Sequence, residues 1–147
     1  MHRCCVILGL TRQNYYKHKR ADLLLDDAYA IAIDAAVPGD VEKKAVPMLC
    51  REALEVVAWD VFSARHVAAG HSRVDAEEAW VATTTRLRVG LVVDPSSDAA
   101  IDRRLSGGSA RRATMTVATK GVHAGVDDYV DAVRYARLAT ADLAKLT

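Results

Sequence analysis

Asp40-Val-Glu-Lys-Lys-Ala-Val-Pro47-Met-Leu-Cys-Arg-Glu-Ala-Leu54-Glu-Val-Val-Ala-Trp59-Asp-Val61 decides the fold class. Val46, Leu49, Ala53, Leu54, Val57 and Val61 recur every three to four residues, which lays one apolar stripe along a helix; a half-buried strand would alternate with period two. Asp40 reads as the cap, Glu42 and Lys43 as the first turn, and Gly70 as the stop. Pro47 reads either as a kink or as the true start.

The helical period continues on both sides. Upstream, Thr11 can cap a helix through Tyr15, Tyr16, Leu23, Leu24, Leu25, Ala28 and Ile31, one long helix or two short ones, halted by Pro38-Gly39. Downstream, Ser72 and Asp75 form an imperfect capping box before a third helix from Val74 to Val93 around Trp80, Leu87 and Leu91. Asp94-Pro95-Ser96-Ser97 is a break, Asp98 to Leu105 a short helix, and Ser109 the cap of a helix carrying Arg111, Arg112 and Met115 as far as Lys120-Gly121. The last helix is expected to start near Val126, with Asp127 and Asp128 at its positive end and Tyr129, Val130, Val133, Ala136 and Leu143 as its stripe. Only Val89 to Val93 looks strand-like. The expected fold is an all-α bundle of four to six helices.

Composition agrees with helices. Of 147 residues, 26 are Ala and 18 Val against one Phe and two Trp, so the 51% apolar content is carried by small side chains. A chain of this length buries roughly 70% of its unfolded surface, enough for a core without staples. Three cysteines without a CxxC pair point to a reducing, cytoplasmic interior. No apolar run approaches about 18 residues, which argues against a membrane span, and the N-terminal run lacks a signal-peptide cleavage site. Ser106-Gly-Gly-Ser109 lacks the Lys-Ser/Thr of a phosphate-binding loop, and His66 and His71, five apart, lack a third ligand. The expectation is no cofactor and no metal.

The net charge of +1 conceals segregation. Residues 1–20 carry five bases and no acid, residues 21–60 nine acids against three bases, and residues 101–147 eight bases against five acids. The basic start reads Cys5-Val-Ile-Leu-Gly-Leu-Thr-Arg-Gln-Asn-Tyr-Tyr-Lys-His-Lys-Arg20. A short apolar helix, a Gly turn and a polar helix opened by Thr make a helix-turn-helix-like pattern, with Arg12, Gln13 and Asn14 suited to base edges and Lys17, Lys19 and Arg20 to phosphates. The bland alternative is a solvated basic helix. Through Gly9, Thr11, Arg12, Tyr15 and Tyr16 the stretch also resembles the start of the second reading frame of two-frame insertion-sequence transposases. No downstream acids follow the catalytic spacing of those enzymes. The expected division is a basic extension, 1–20, and a helical domain, 21–147.

Val46-Pro47-Met-Leu-Cys-Arg51-Glu52-Ala-Leu54-Glu55 and Ala118-Thr-Lys120-Gly121-Val-His123-Ala-Gly125 resemble HEPN domains, especially those at the C-termini of bacterial ATPases, over residues 37–147. The resemblance implies a helical bundle, a homodimer, a separate ATPase chain as partner and, in catalytic members, a metal-independent RNase in which an Arg, followed after four to six intervening residues by a His, clamps phosphate. His123 is the candidate general acid/base, yet Thr116, Val117 and Ala118 stand where that Arg is expected. Arg12–His18 and Arg65–His71 fit the spacing, about as often as chance allows. Arg112, Thr116 and Lys120, at i, i+4 and i+8, share a face that could hold phosphate without cleaving it. Trp59 and Trp80 read as core or interface anchors, Glu52 and Glu55 as a solvated face. The expected function is a non-catalytic or decayed HEPN-like module contacting DNA or RNA phosphates through Arg12, Gln13, Asn14, Lys17, Lys19, Arg20, Arg112 and Lys120. The alternatives are an RNase centred on His123 and a helix-turn-helix DNA binder or mobile-element remnant.

Overall fold

The computed structural model describes residues 12–93 and 108–146, with side-chain surroundings from Arg20 onward, residues 87, 91 and 93 excepted. The helix and turn expected before Arg12, the Thr11 cap and the helix expected over 98–105 lie outside the described residues. Among the described residues there are six helices and no strand: α1 (Arg12–Ile33), α2 (Gly39–Ala68), α3 (Arg73–Val81), α4 (Thr85–Val93), α5 (Ser109–Thr116) and α6 (Tyr129–Ala144). The all-α expectation holds. α5 runs on through a π-helical segment, Val117–Gly121, and one more helical turn, Val122–Ala124.

α1 is a single helix, continuous through residues 20 and 21. Its buried seam is Ala21, Leu25 and Ala28, the i, i+4, i+7 spacing that faces one neighbour. A turn around Asp34, whose Oδ1 accepts the Ala36 amide at 2.9 Å, carries the chain to Pro38.

α2 is the central rod and touches α1, α3, α4, the π-helical segment and α6. Val46, Cys50, Ala53, Val57, Ala58 and Val61 are buried along it, and among the described residues Phe62 is the one aromatic side chain in the buried core. Two details of its start differ from the sequence reading: Pro38, with φ −59° and ψ 141°, is the cap, and Asp40 sits in the first turn, where its charge suits the helix dipole. Pro47 neither ends nor begins the helix; it is fully buried within it, and its ring comes up against Gly121. The end is a Schellman motif: Gly70 at φ +91° lets its own amide reach Val67 O and the His71 amide reach His66 O.

The Ser72–Asp75 capping box forms in both directions, with Asp75 N donating to Ser72 Oγ at 3.1 Å and Ser72 N donating to Asp75 Oδ2 at 3.0 Å. The single helix expected from Val74 to Val93 is instead two. Ala82 to Thr84 interrupt it because Thr83 turns both its amide and its hydroxyl onto Trp80 O, offering the backbone an alternative to helical bonds. Further on, Gly108 rather than Ser109 caps α5. Asp128 caps α6 by accepting the Asp131 amide at 2.9 Å, so the last helix starts at Tyr129, not near Val126. Its buried face is Ala132, Val133, Ala136, Ala139, Thr140 and Leu143, leaving Val130 exposed. No helix among the described residues is long and apolar enough to cross a membrane.

Candidate nucleic-acid interface

α5 packs on α6, and the π-helical segment carries α5 on toward the start of α6. Gly121 lies so close to Val126 that a Cβ there would sit 3.0 Å from Val126 Cγ1. Gly125, at φ +78°, turns the chain into the Asp127-Asp128 lead of α6. Thr119 Oγ1 donates to Met115 O at 2.8 Å inside the widened turn. The result is a groove of about 540 Å³ between the two helices. Val117, Val126 and Ala132 form its apolar part, Arg112 and Lys120 belong to one side, and Asp127, Asp128 and Asp131 to the other. Beyond it Arg111 Nε donates to Asp142 Oδ2 at 2.6 Å and Arg111 Nη2 to Asp142 Oδ1 at 3.0 Å, clamping the same two helices.

Arg112, Thr116 and Lys120 thus share one groove, and all three are exposed. Thr116 spends its hydroxyl proton on Arg112 O at 3.0 Å, so the two cations carry the face's donor capacity. His123 is exposed one turn further on and does not line the groove. Ser109, Arg112, Thr116, Lys120 and His123 form an exposed succession at intervals of three or four, a ridge along the outside of α5 and its continuation.

Arg20 is elsewhere. It lines a second groove, of about 380 Å³, beside Glu52, Glu55, Trp59 and Trp80. Arg12, Gln13, Asn14, Lys17 and Lys19 belong to the first two turns of α1, and their side-chain surroundings lie outside the described residues.

Other sequence candidates have structural duties. Arg65, of the Arg65–His71 spacing, directs its guanidinium to the carbonyls of Val92 and Leu146, the latter at 2.6 Å, so its fork ties the ends of α4 and α6. His66 and His71 do meet, although their spacing is off one helical face, because the Gly70 turn folds one ring over the other at 4.4 Å between centroids. Among the described residues no cluster of three metal-ligating side chains accompanies them. Trp59 and Trp80 pack edge to face at 5.4 Å beside the core.

Glu55 corrects the solvated-face reading. Its carboxylate is only 19% exposed and accepts from Arg51 Nε at 3.2 Å, Thr85 Oγ1 at 2.5 Å and Arg88 Nη1 at 3.0 Å, while Glu52 remains exposed. Sequence reasoning also missed the acidic side of the α5–α6 groove; the signal is Asp127-Asp128, read only as suiting the helix dipole, with Asp131 one turn on.

Comparison with known proteins finds no matching family model, no matching curated protein and no matching solved structure. The chemistry available is therefore read from the groove itself. A guanidinium and an ammonium on one exposed ridge can hold phosphate oxygens. Neither shares the groove with His123, the candidate acid/base.

Proposed function

We propose that this chain is a non-catalytic, HEPN-like helical module that contacts nucleic-acid phosphates through Arg112 and Lys120. The observation that supports this reading is the exposed ridge on which those two cations stand without an ion pair among the described residues. Two charges eight residues apart along a helical rod are separated by about 12 Å, a span that takes in two phosphates of one extended strand. The missing arginine before His123 argues for holding the strand, not cutting it. A separate ATPase chain is the partner class that the HEPN resemblance implies.

Fluorescence anisotropy with labelled single-stranded RNA and duplex DNA, read against salt, tests the proposal. The intact chain should bind with an affinity that falls steeply with salt, and Arg112→Ala with Lys120→Ala should lower affinity and flatten the salt slope by about one unit per lost contact. Identical salt slopes for the variant and the parent would remove Arg112 and Lys120 from the interface. RNA cleavage by the intact chain that disappears in His123→Ala would replace the binding module with the RNase.

A further inference from the structure

The α5–α6 pair is closed at one end and open at the other, and the difference is electrostatic. Arg111 and Asp142 meet in two hydrogen bonds across the two helices. About three turns from Asp142, at the start of α6, the two sides again carry opposite charges, but no ion pair bridges Arg112 or Lys120 to Asp127, Asp128 or Asp131, although all five line the one groove. Asp131 turns an oxygen to Arg134 at 3.0 Å, and Asp128 turns one to the Asp131 amide. Two bases and three acids face each other over an apolar strip, and of the five only Asp131 has an ion-pair partner among the described residues, Arg134 on its own helix.

That arrangement selects its occupant. A polyanion can reach the outer flank of the basic ridge, but three carboxylates repel it from the groove. A surface with a positive edge, an apolar middle and a negative edge is its own complement: a two-fold axis along the groove lays the basic edge of one copy on the acidic edge of the other, twice over. Leu138, 56% exposed, continues the row of Asp131 and Tyr135 at i, i+4 and i+7 on α6 and adds exposed apolar surface beside the groove.

We infer that the groove between α5 and α6 is the seat of a second copy of this chain, and that the second copy and nucleic acid compete for Arg112 and Lys120. The competition rests on the phosphate reading above; the interface does not. Dimer formation masks both cations, and a bound strand releases the partner.

Sedimentation velocity of the full chain across concentration and salt is the test. The chain should show a monomer–dimer equilibrium that salt weakens. Arg112→Glu with Lys120→Glu should be monomeric, as should Asp127→Lys with Asp131→Lys, since each sets like charges against like. An equimolar mixture of the two variants should dimerise again, because both contacts are then between opposite charges. Melting curves close to the parent's establish that the variants fold, and Asp128 is left in place to cap α6. A parent that stays monomeric, or a mixture of variants that does, overturns the interface. The competition predicts that single-stranded RNA shifts the parent from dimer to monomer; a dimer left intact by bound RNA overturns it. The acidic-side variant retains Arg112 and Lys120, so RNA binding by that monomer with no rescue in the mixture leaves the phosphate reading standing and the dimer refuted.

Discussion

Glu55 and Arg88, thirty-three residues apart, meet at 3.0 Å inside the contact between α2 and α4, each side chain only 19% exposed. Arg88 also lies over Trp80 at 5.2 Å and donates through Nε to Trp80 O, so one guanidinium joins three helices. Removing Glu55 strands a partly buried cation and the Thr85 hydroxyl together. Glu55→Ala should cost about 2 kcal/mol, whereas Arg88→Met, which keeps an apolar stem against Trp80, should also cost stability but less than the Ala variant of its partner. Urea denaturation measures both, and equal losses would mean that stem packing, not the ion pair, dominates.

Gly125 is held at φ +78° and ψ −173°, and a Cβ there would lie 3.1 Å from both Lys43 Cγ and the Tyr129 hydroxyl. Gly125→Ala should destabilise by about 2 kcal/mol, since that backbone region belongs to glycine. Gly39→Ala is the control: nothing lies within 4 Å of its Cβ position, and its effect should stay within about 0.5 kcal/mol. Thermal melts of the pair should separate by several degrees.

Asp75 couples the start of α3 to pH. Hydrogen bonds from the Ser72 hydroxyl and then the Ser72 amide, with weaker attraction from His71 and His66, hold its carboxyl below the ordinary 3.8. A depressed acid contributes stability that is fully present above 3.8 and is lost as pH falls through the folded value. The parent should therefore lose stability more steeply below pH 3.8 than Asp75→Asn does. Parallel acid-denaturation curves would exclude the capping carboxylate as a source of acid sensitivity.

Cys50 is fully buried on α2, and burial pushes its thiol up to about 12, against a smaller opposing pull from Arg137. In a background with Cys4→Ser and Cys5→Ser, alkylation of the folded protein at pH 8 should proceed only as fast as the fold opens. A raised acid contributes stability present below its unfolded value, 9.0, and lost as pH rises toward about 12. The Cys50→Ala variant should lack that part of the alkaline loss, which chemical denaturation between pH 8 and 10 can resolve.

Much of the fold could be read from one-dimensional patterns. The stripe from Val46 to Val61 on α2 needed only the 3.6-residue period, and the Gly70 stop and Ser72–Asp75 box needed only the hydrogen-bonding chemistry of four neighbouring residues. Boundaries set by longer competition were missed. Thr83 breaks the third helix by bonding back to Trp80, and a propensity scan weighs three threonines as poor helix formers, not as a fixed interruption. Of the site, the face shared by Arg112 and Lys120 was legible as a spacing, but its separation from His123 and its acidic counterpart were not.

Local patterns were enough to establish that this chain is helical, where its central helix ends, and which cations share one face of α5 and its continuation, because each follows from residues within a few turns of one another. Which charges are spent and which stay open depends on how the helices pack. Glu55 and Glu52 stand three residues apart on one helix, yet Thr85 and Arg88 claim only the first. Arg111 and Arg112 are neighbours, yet only Arg111 meets Asp142. Charges found by local spacing acquire their partners through contacts made thirty residues away, where the packing of α4 on α2 and of α6 on α5 fixes the distances.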